Sequence, residues 1–520
     1  MAQLRRLVSR LAITASVLIF ASLADAKDLR VGTCRRDITP VSPGLAAAYE
    51  ARFGVPASVN HTDPVWMAGF GNGRSAIDYH DRLWARGVVI DGKGGRIAIV
   101  TLDLIGYFAN EIATIRAMVS PASAVDYVVV TSTHEHEGPD TLGLWGPNEL
   151  TSGIDYSYLD FVNAAVADCV DEAAASLERA RVRFATTTSE GLSLGLDPED
   201  DGLGVADGKV LAGDAALSPA TGGRIVDPTL AAIQFTTRGA PHAVIATVVN
   251  FASHPESLGS SNRLITSDFP HPARERLEAE YGGLAIWVSG DLGVLQGPLD
   301  IDVLDPATGE PAPRRTFRFA EVHGTQLAER MISALASAGL GAPAPALAFA
   351  SVNPVAIPLE NPFFRLFVAI GVLNQRRTLF TDGVPDSSVG FPFPPPFNPI
   401  PQALGEDIHT EVGALRIGPA SVALVPTELD PQIGFGYRAR MTGAEHTFVF
   451  GLANDHIGYQ VPFAKWDPSC HVCAPFIIAG VEELCPVQPI DCNTVFENNV
   501  GQGVDPAISH ALEPLLDALH

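Results

Sequence analysis

Short apolar runs punctuate the chain at 96–102, 127–131, 243–249, 284–288 and 421–425, each rich in Val, Ile or Ala and each leading into a polar loop. Runs of that length and composition predict buried strands. Between them, 156–180 sets Leu159, Val162, Val166, Cys169, Ala173 and Leu177 at helical spacing, the core-facing stripe of an amphipathic helix. Strand, loop, helix, strand predicts an α/β fold. The expectation is one large catalytic domain over 27–520, with a mostly parallel sheet flanked by helices and the site at the strands' C-terminal ends.

Two segments break the pattern. The stretch 195–227 is crowded with Gly and Asp and reads as a long loop. The stretch 353–402 reads as an apolar, proline-rich insertion, with the apolar run 363–373 followed by Phe391-Pro392-Phe393-Pro394-Pro395-Pro396-Phe397. It fits either a buried helix with an extended crossing segment or an apolar lid for a lipid-like substrate, and the run is too short to span a bilayer.

The first 26 residues have a different character. Arg5, Arg6 and Arg10 precede an apolar run over 11–23, and Ala24-Asp25-Ala26 follows as a cleavage site. This predicts a signal peptide over 1–26 and a secreted or periplasmic mature protein. Export changes the meaning of the cysteines. Cys470-x-x-Cys473 would suggest half a zinc knuckle in the cytosol. In an oxidising compartment, Cys470, Cys473, Cys485 and Cys492 predict two disulfides stapling the loop-rich stretch 468–495, with three pairings open. Cys34 and Cys169 stand far apart in the sequence.

Composition narrows the function. Hydrophobic residues make up 47% of the chain and charged ones 18%, enough for a large core. A net charge of −25 with no extended basic run past the N-terminus excludes a nucleic-acid partner. It also limits membrane contact to a peripheral, apolar one.

Candidate chemistry sits where apolar runs give way to loops. Thr133-His134-Glu135-His136-Glu137-Gly138-Pro139 follows the run 127–131, and residues i and i+2 on extended backbone point to one side, so His134 and His136 converge. His254 follows the run 243–249, Glu428 the run 421–425, and Asn454-Asp455-His456-Ile457-Gly458-Tyr459 closes the series. Histidines, a carboxylate and a further oxygen donor make a plausible shell for a catalytic zinc with an open position for water.

These segments, in this order, resemble the neutral/alkaline (non-lysosomal) ceramidase family. Thr133–Pro139 is similar to its T-H-T-H-S-G-P segment, Asn250-Phe251-Ala252-Ser253-His254-Pro255 to its N-F-A-x-H-P, and Val425-Pro426-Thr427-Glu428 to its P-G-E. Asp37-Ile38-Thr39-Pro40 matches its opening strand, Thr101-Leu102-Asp103-Leu104 its S-x-D-L, Ser289-Gly290-Asp291 its G-D turn, and 454–459 its N-x-Y-x-x-Y. The resemblance implies a zinc amidohydrolase acting on ceramide or another N-acyl lipid through metal-activated water. His134, His254, Glu428 and Tyr459 would be its Zn2+ ligands. His136 would face the substrate carbonyl, and Glu137, His136, Asp291 and His456 are the candidates for proton transfer.

The departures concern the substrate pocket. No Arg lies between Arg183 and Arg224, where the family places an active-site arginine, and Leu194, Gly195, Asp197 and Asp200 occupy the region. Leu292-Gly293-Val294-Leu295 replaces the family's S-P-N, and His456 stands at the first tyrosine of N-x-Y-x-x-Y. The chain leaves no room for the family's C-terminal immunoglobulin-like domain. Two alternatives stay open: a zinc hydrolase of another amide or ester, and a non-catalytic binding protein that keeps the fold.

Overall fold

Side chains alternate across a strand, so a strand covered on both faces is apolar at every position. The computed structural model shows this for the runs picked out above. It describes residues 27–195, 225–299, 301–386, 406–490, 492 and 494–519. The signal segment 1–26, most of 195–227 and the Phe/Pro run 391–397 lie outside the described residues.

Eight strands form the larger sheet: β1 (Arg30–Asp37), β2 (Trp84–Gly92), β3 (Gly95–Leu102), β4 (Tyr127–Ser132), β5 (Glu178–Thr188), β6 (Thr229–Thr237), β7 (Val244–Phe251) and β8 (Leu284–Ser289). Their order is β8-β7-β6-β5-β1-β2-β3-β4. A second sheet is built on β9 (Leu347–Pro358), β10 (Asp407–Ile417), β11 (Ala420–Leu424) and β13 (His446–Phe450), and a two-residue ladder pairs β12 (Glu428–Leu429) with β14 (Tyr459–Gln460). The helices used below are α1 (Ala46–Phe53), α2 (Ala109–Met118), α3 (Tyr156–Ala175), α4 (Pro270–Tyr281), α5 (Phe317–Ala336), α6 (Pro362–Ala369), α7 (Pro431–Arg440), α8 (Ser469–Ala479) and α9 (Val504–Ala518).

The sheets are mixed, not mostly parallel. In the larger one only the edge pairs β3–β4 and β7–β8 are parallel, and in the second only β11–β13 is. The other pairs are antiparallel, some through tight hairpins, as between β2 and β3, where Gly94 takes a φ of 117°. Burial on both faces hid this in the sequence, because apolar runs read alike in either direction. Each parallel pair is joined through a helix, α2, α4 and α7 respectively.

In β3, Ala98, Val100 and Leu102 face helices α1 to α3, whereas Ile97 and Ile99 face the second sheet. The inner faces of the two sheets share one core, with Val88, Ile233, Val248 and Ile286 against Leu415, Val422, Phe448 and Phe450. Helices α4 and α5 cover β6 to β8, and α9 lays Ile508, Leu512 and Leu516 on the outer face of the second sheet. Each such side chain contributes about 1.5–3 kcal/mol on burial. The edge strands β4 and β8 also touch, so the larger sheet curls until its ends meet.

Asp155 caps α3 by accepting from Ser157 N at 2.8 Å. The helix stops at Ala175, short of the expected 180, because 178–188 alternates buried Ala180, Val182 and Phe184 with charged neighbours and pairs as a strand. In the insertion, 353–358 completes β9, α6 buries Phe363 and Phe364 with Leu366 to Ala369 half-buried, and Ile370 is exposed. Among the described residues no helix is long and apolar enough to cross a membrane.

All six cysteines pair. Cys470–Cys492 and Cys473–Cys485 settle the C-terminal pairing across a stretch that includes helix α8, and Cys34–Cys169 ties β1 to α3. Three disulfides fit a secreted protein. Cys34–Cys169 closes a separation of 135 residues, so replacing both with Ala should cost about 2–5 kcal/mol in a denaturant titration. A loss under about 1 kcal/mol would show that the bridge adds little.

A second prediction concerns pH. His323 of α5 donates Nε2–H to Leu192 O at 2.7 Å, and burial pushes its pKa from 6.5 down to about 4. The unfolded chain therefore binds a proton that the folded chain refuses. Stability contributed here is complete above pH 6.5 and is lost as pH falls toward 4, by about 3 kcal/mol. His323→Gln should flatten that part of the stability profile.

Candidate metal centre

Four strands end at one place. His134 follows β4, His254 follows β7, Glu428 follows β11, and His456 follows β13. Counting directions across the larger sheet, β4 and β7 run oppositely, so their loops meet only because the sheet twists as it folds back on itself. Backbone bonds stitch the ends together. Ser289 Oγ donates to Thr133 O at 2.6 Å, Gly451 N to Ser289 O at 3.0 Å, and Asn454 N to Val130 O at 2.7 Å. Asn250 Nδ2 donates to Val449 O at 2.9 Å, linking the two sheets.

Each histidine is aimed by its own loop. His134 sits at a φ of 64°, rare for a residue with a Cβ, and its Nδ1 lies 2.6 Å from Ile105 O. His254 has its backbone N at 2.7 Å and its Nδ1 at 3.0 Å from Gln296 O. Gln296 is itself fixed, its buried amide held by Ser193, Ala252 and Asp227.

Carbonyl oxygens only accept, so His134 and His254 carry hydrogens on Nδ1 and turn Nε2 to the other side. Both face the same carboxylate oxygen: His134 Nε2 and His254 Nε2 each lie 3.2 Å from Glu428 Oε2. His456 Nε2 lies 3.1 Å from Glu428 Oε1. All four side chains are buried. Burial would raise the Glu428 carboxyl, but His134, His254 and His456 hold it well below the usual carboxylate range. Left neutral, such rings would turn lone pairs toward a buried anion, an arrangement relieved by a proton on each or by a cation between them. Imidazoles and a carboxylate are borderline donors of the kind zinc takes, so the residues fit a divalent ion. Two overlapping groups have ligand atoms within 4.8 Å of one another: His134, His136 and His254, and His134, Glu428 and His456.

The other expected residues fall in different places. His136 lies beside this cluster, with ring centroids 5.0 Å from His134 and 5.5 Å from His254. Gly69 makes room for its ring, since a Cβ there would overlap it. Both of its nitrogens lack a hydrogen-bond partner, and burial followed by the charges of His134 and His254 pushes its pKa well down. Glu137 turns away, accepting from Arg74 at 2.9 Å and Asn262 at 2.8 Å, and burial pushes it up to about 8 despite them. Tyr459 stands opposite Glu428 in the β12–β14 ladder, its ring among Phe363, Val461 and Trp466. Asp291 holds Arg438 of α7 through bonds of 2.7 and 3.1 Å, with Asp227 also 2.7 Å from that guanidinium.

Sequence reasoning missed Glu256, whose Oε2 lies 3.7 Å from His136 Nδ1 and whose carboxyl burial pushes up to about 7. Its position two residues past His254 was the available signal. Arg74, beside the carbonyls of Ala68 and His136, follows a glycine-rich loop that carries no such signal.

The chain superposes on neutral ceramidase from Pseudomonas aeruginosa with a TM-score of 0.63, over 95% of this chain and 75% of that one. It has the ceramidase fold. Identity in that alignment is 18%. A ceramidase structure in complex with C2 gives a TM-score of 0.59 at 18% identity, over 88% of this chain and 74% of that one. No family model and no curated protein matches the sequence.

The Arg438 cluster makes a test of the frame around the centre. Arg438→Met leaves two carboxyls buried without their counter-charge and should cost about 3–5 kcal/mol in thermal or chemical unfolding. An unchanged unfolding midpoint would show that Asp291 and Asp227 do not need it.

Proposed function

We propose that this chain is an exported, zinc-dependent hydrolase of ceramidase type that cleaves the amide of ceramide or a related N-acyl lipid. The observation that carries the reading is the pair of Nε2 atoms from His134 and His254 facing Glu428 at 3.2 Å, inside a ceramidase fold. Those three residues would hold the ion. A zinc there supplies an acidified water, of pKa about 7, and polarises the carbonyl.

The chain's own groups do the rest. His136, with both nitrogens unpartnered beside the cluster, is placed to meet the carbonyl oxygen as charge develops on it. Glu256 lies within reach of that imidazole to hold or pass a proton. Glu137, engaged by Arg74 and Asn262, steadies the backbone of the H-x-H turn and takes no direct part. Asp291, held by Arg438, serves the frame.

Substrate class follows from the surroundings. The half-buried apolar face of α6, Leu366 to Ala369, leads into a segment that docks on the loop after the H-x-H, with Asn374 N on Leu142 O at 3.1 Å. An acyl chain suits such a wall. The disulfides and the N-terminal signal pattern support export.

The test is to purify the chain, count bound metal, and measure fatty-acid release from short- and long-chain ceramides. One zinc per chain with turnover is expected. His134→Ala and His254→Ala should each lower metal affinity and turnover by more than about 100-fold, since outer partners alone are worth 10–100-fold. Full activity with full metal in either variant would refute the ligand set. Bound zinc without ceramide turnover would move the substrate to another amide or ester.

A further inference from the structure

We propose that His456 is a further metal ligand of this centre, so that three imidazoles and one carboxylate hold the ion, with His456 in the role that the resemblance gives to Tyr459. The inference rests on the metal reading of the same site and specifies its composition.

Position argues for it first. His456 Nε2 addresses Glu428 Oε1, the oxygen that His134 and His254 leave, at 3.1 Å. Ligands about 2.0–2.1 Å from zinc stand about 3.3 Å apart along a tetrahedral edge. The separations of 3.1 and 3.2 Å around Glu428 are close to such edges. The ligand atoms of His134, Glu428 and His456 also lie within 4.8 Å of one another.

The loop argues for it independently. Asn454 adopts a φ of 66° and is tied to β4, with Val130 N donating to its Oδ1 at 3.1 Å and its Nδ2 donating to Tyr127 Oη at 2.7 Å. Asp455, wholly buried, accepts from Ala109 N at 2.9 Å and from Arg377 at 2.7 and 2.8 Å. Arg377 comes from the insertion and stacks over Phe108 at 4.7 Å. Residue 106 is glycine, and any Cβ there would overlap the His456 ring. A surface turn would need none of this. It is what a ligand needs when its nitrogen must be held to within about 0.5 Å.

The consequence is chemical. With Glu428 as the anion among these four residues, a divalent ion keeps a net positive charge, so the centre draws electrons from a carbonyl or a water more strongly than one with a further phenolate. Arg377 becomes a positioning residue that acts on the ion through Asp455 and His456.

The test uses the full chain, stripped of metal and titrated with Zn2+ against a chromophoric chelator, then with Co2+ for its visible bands. His456→Phe should weaken Zn2+ by more than about 100-fold and change the Co2+ bands, while circular dichroism stays native. Gly106→Ala and Arg377→Gln, which leave the imidazole in the chain but displace it, should weaken Zn2+ by about 10–100-fold. Wild-type affinity and an unchanged Co2+ spectrum in His456→Phe would overturn the proposal and leave the rest of the centre intact. A wild-type chain that binds neither ion would overturn the metal reading beneath it.

Discussion

A carboxylate buried among three imidazoles is the constraint on which the structure depends. Glu428 is inside the protein, and two of the imidazoles facing it have their Nδ1 hydrogens committed to Ile105 O and Gln296 O. Such an arrangement is costly in the absence of positive charge. It persists because the loops that carry the histidines are fixed by backbone hydrogen bonds at the ends of packed strands. Strain at His134 and Asn454, both left-handed, is held the same way, and residues in that region persist where the surroundings over-determine them.

The fold is the means of bringing these ends together. Three parallel pairs, each closed by a helix, deliver His134, His254 and the Glu428–His456 pair, and antiparallel strands fill the space between. In a flat sheet β4 and β7 would present their C-terminal loops on opposite sides. Twist accumulated across the sheet, with the curl that brings β4 to β8, removes that separation, and the inner face then needs a second sheet to cover it. The shared apolar core is therefore also what sets the distance between His134, on one sheet, and Glu428, on the other.

Much of this was legible in the sequence because its signals are local. Strand runs such as 96–102 and 127–131 fall within a residue of β3 and β4, and the histidines after them stand where an apolar run yields to a loop. Strand direction was not legible, since a run buried on both faces carries no mark of its partner's orientation. Nor was the division of labour among the acids. Asp291 and Glu137 look like Glu428 in sequence, each just beyond a strand. What separates them is a distant arginine, Arg438 for one and Arg74 for the other, and long-range pairing leaves no trace in local pattern. Asp103 was the same kind of acid, and it binds Arg274 of α4 at 2.7 and 2.9 Å.

The departures from the ceramidase pattern at 292–295 and at His456 fall on two sides of the centre, and the structure gives them a common logic. Leu292 to Leu295 form a turn in which Val294 and Leu295 are both left-handed, and the backbone there delivers Gln296 O to His254. A β-branched residue in that region is unusual, so the turn is set by its surroundings: Gly293 is pressed against the backbone of Leu429 and Asp430, too close for any side chain. His254 is thus aimed from the same strand end that carries Glu428. On the other face, the insertion reaches His456 through Arg377 and Asp455. The residues that differ from the pattern are therefore tied to the cluster's geometry, and a decayed site has no reason to keep two unrelated loops braced on its remaining ligands. That coupling weighs against a fold retained only for binding and in favour of a centre rebuilt around a histidine.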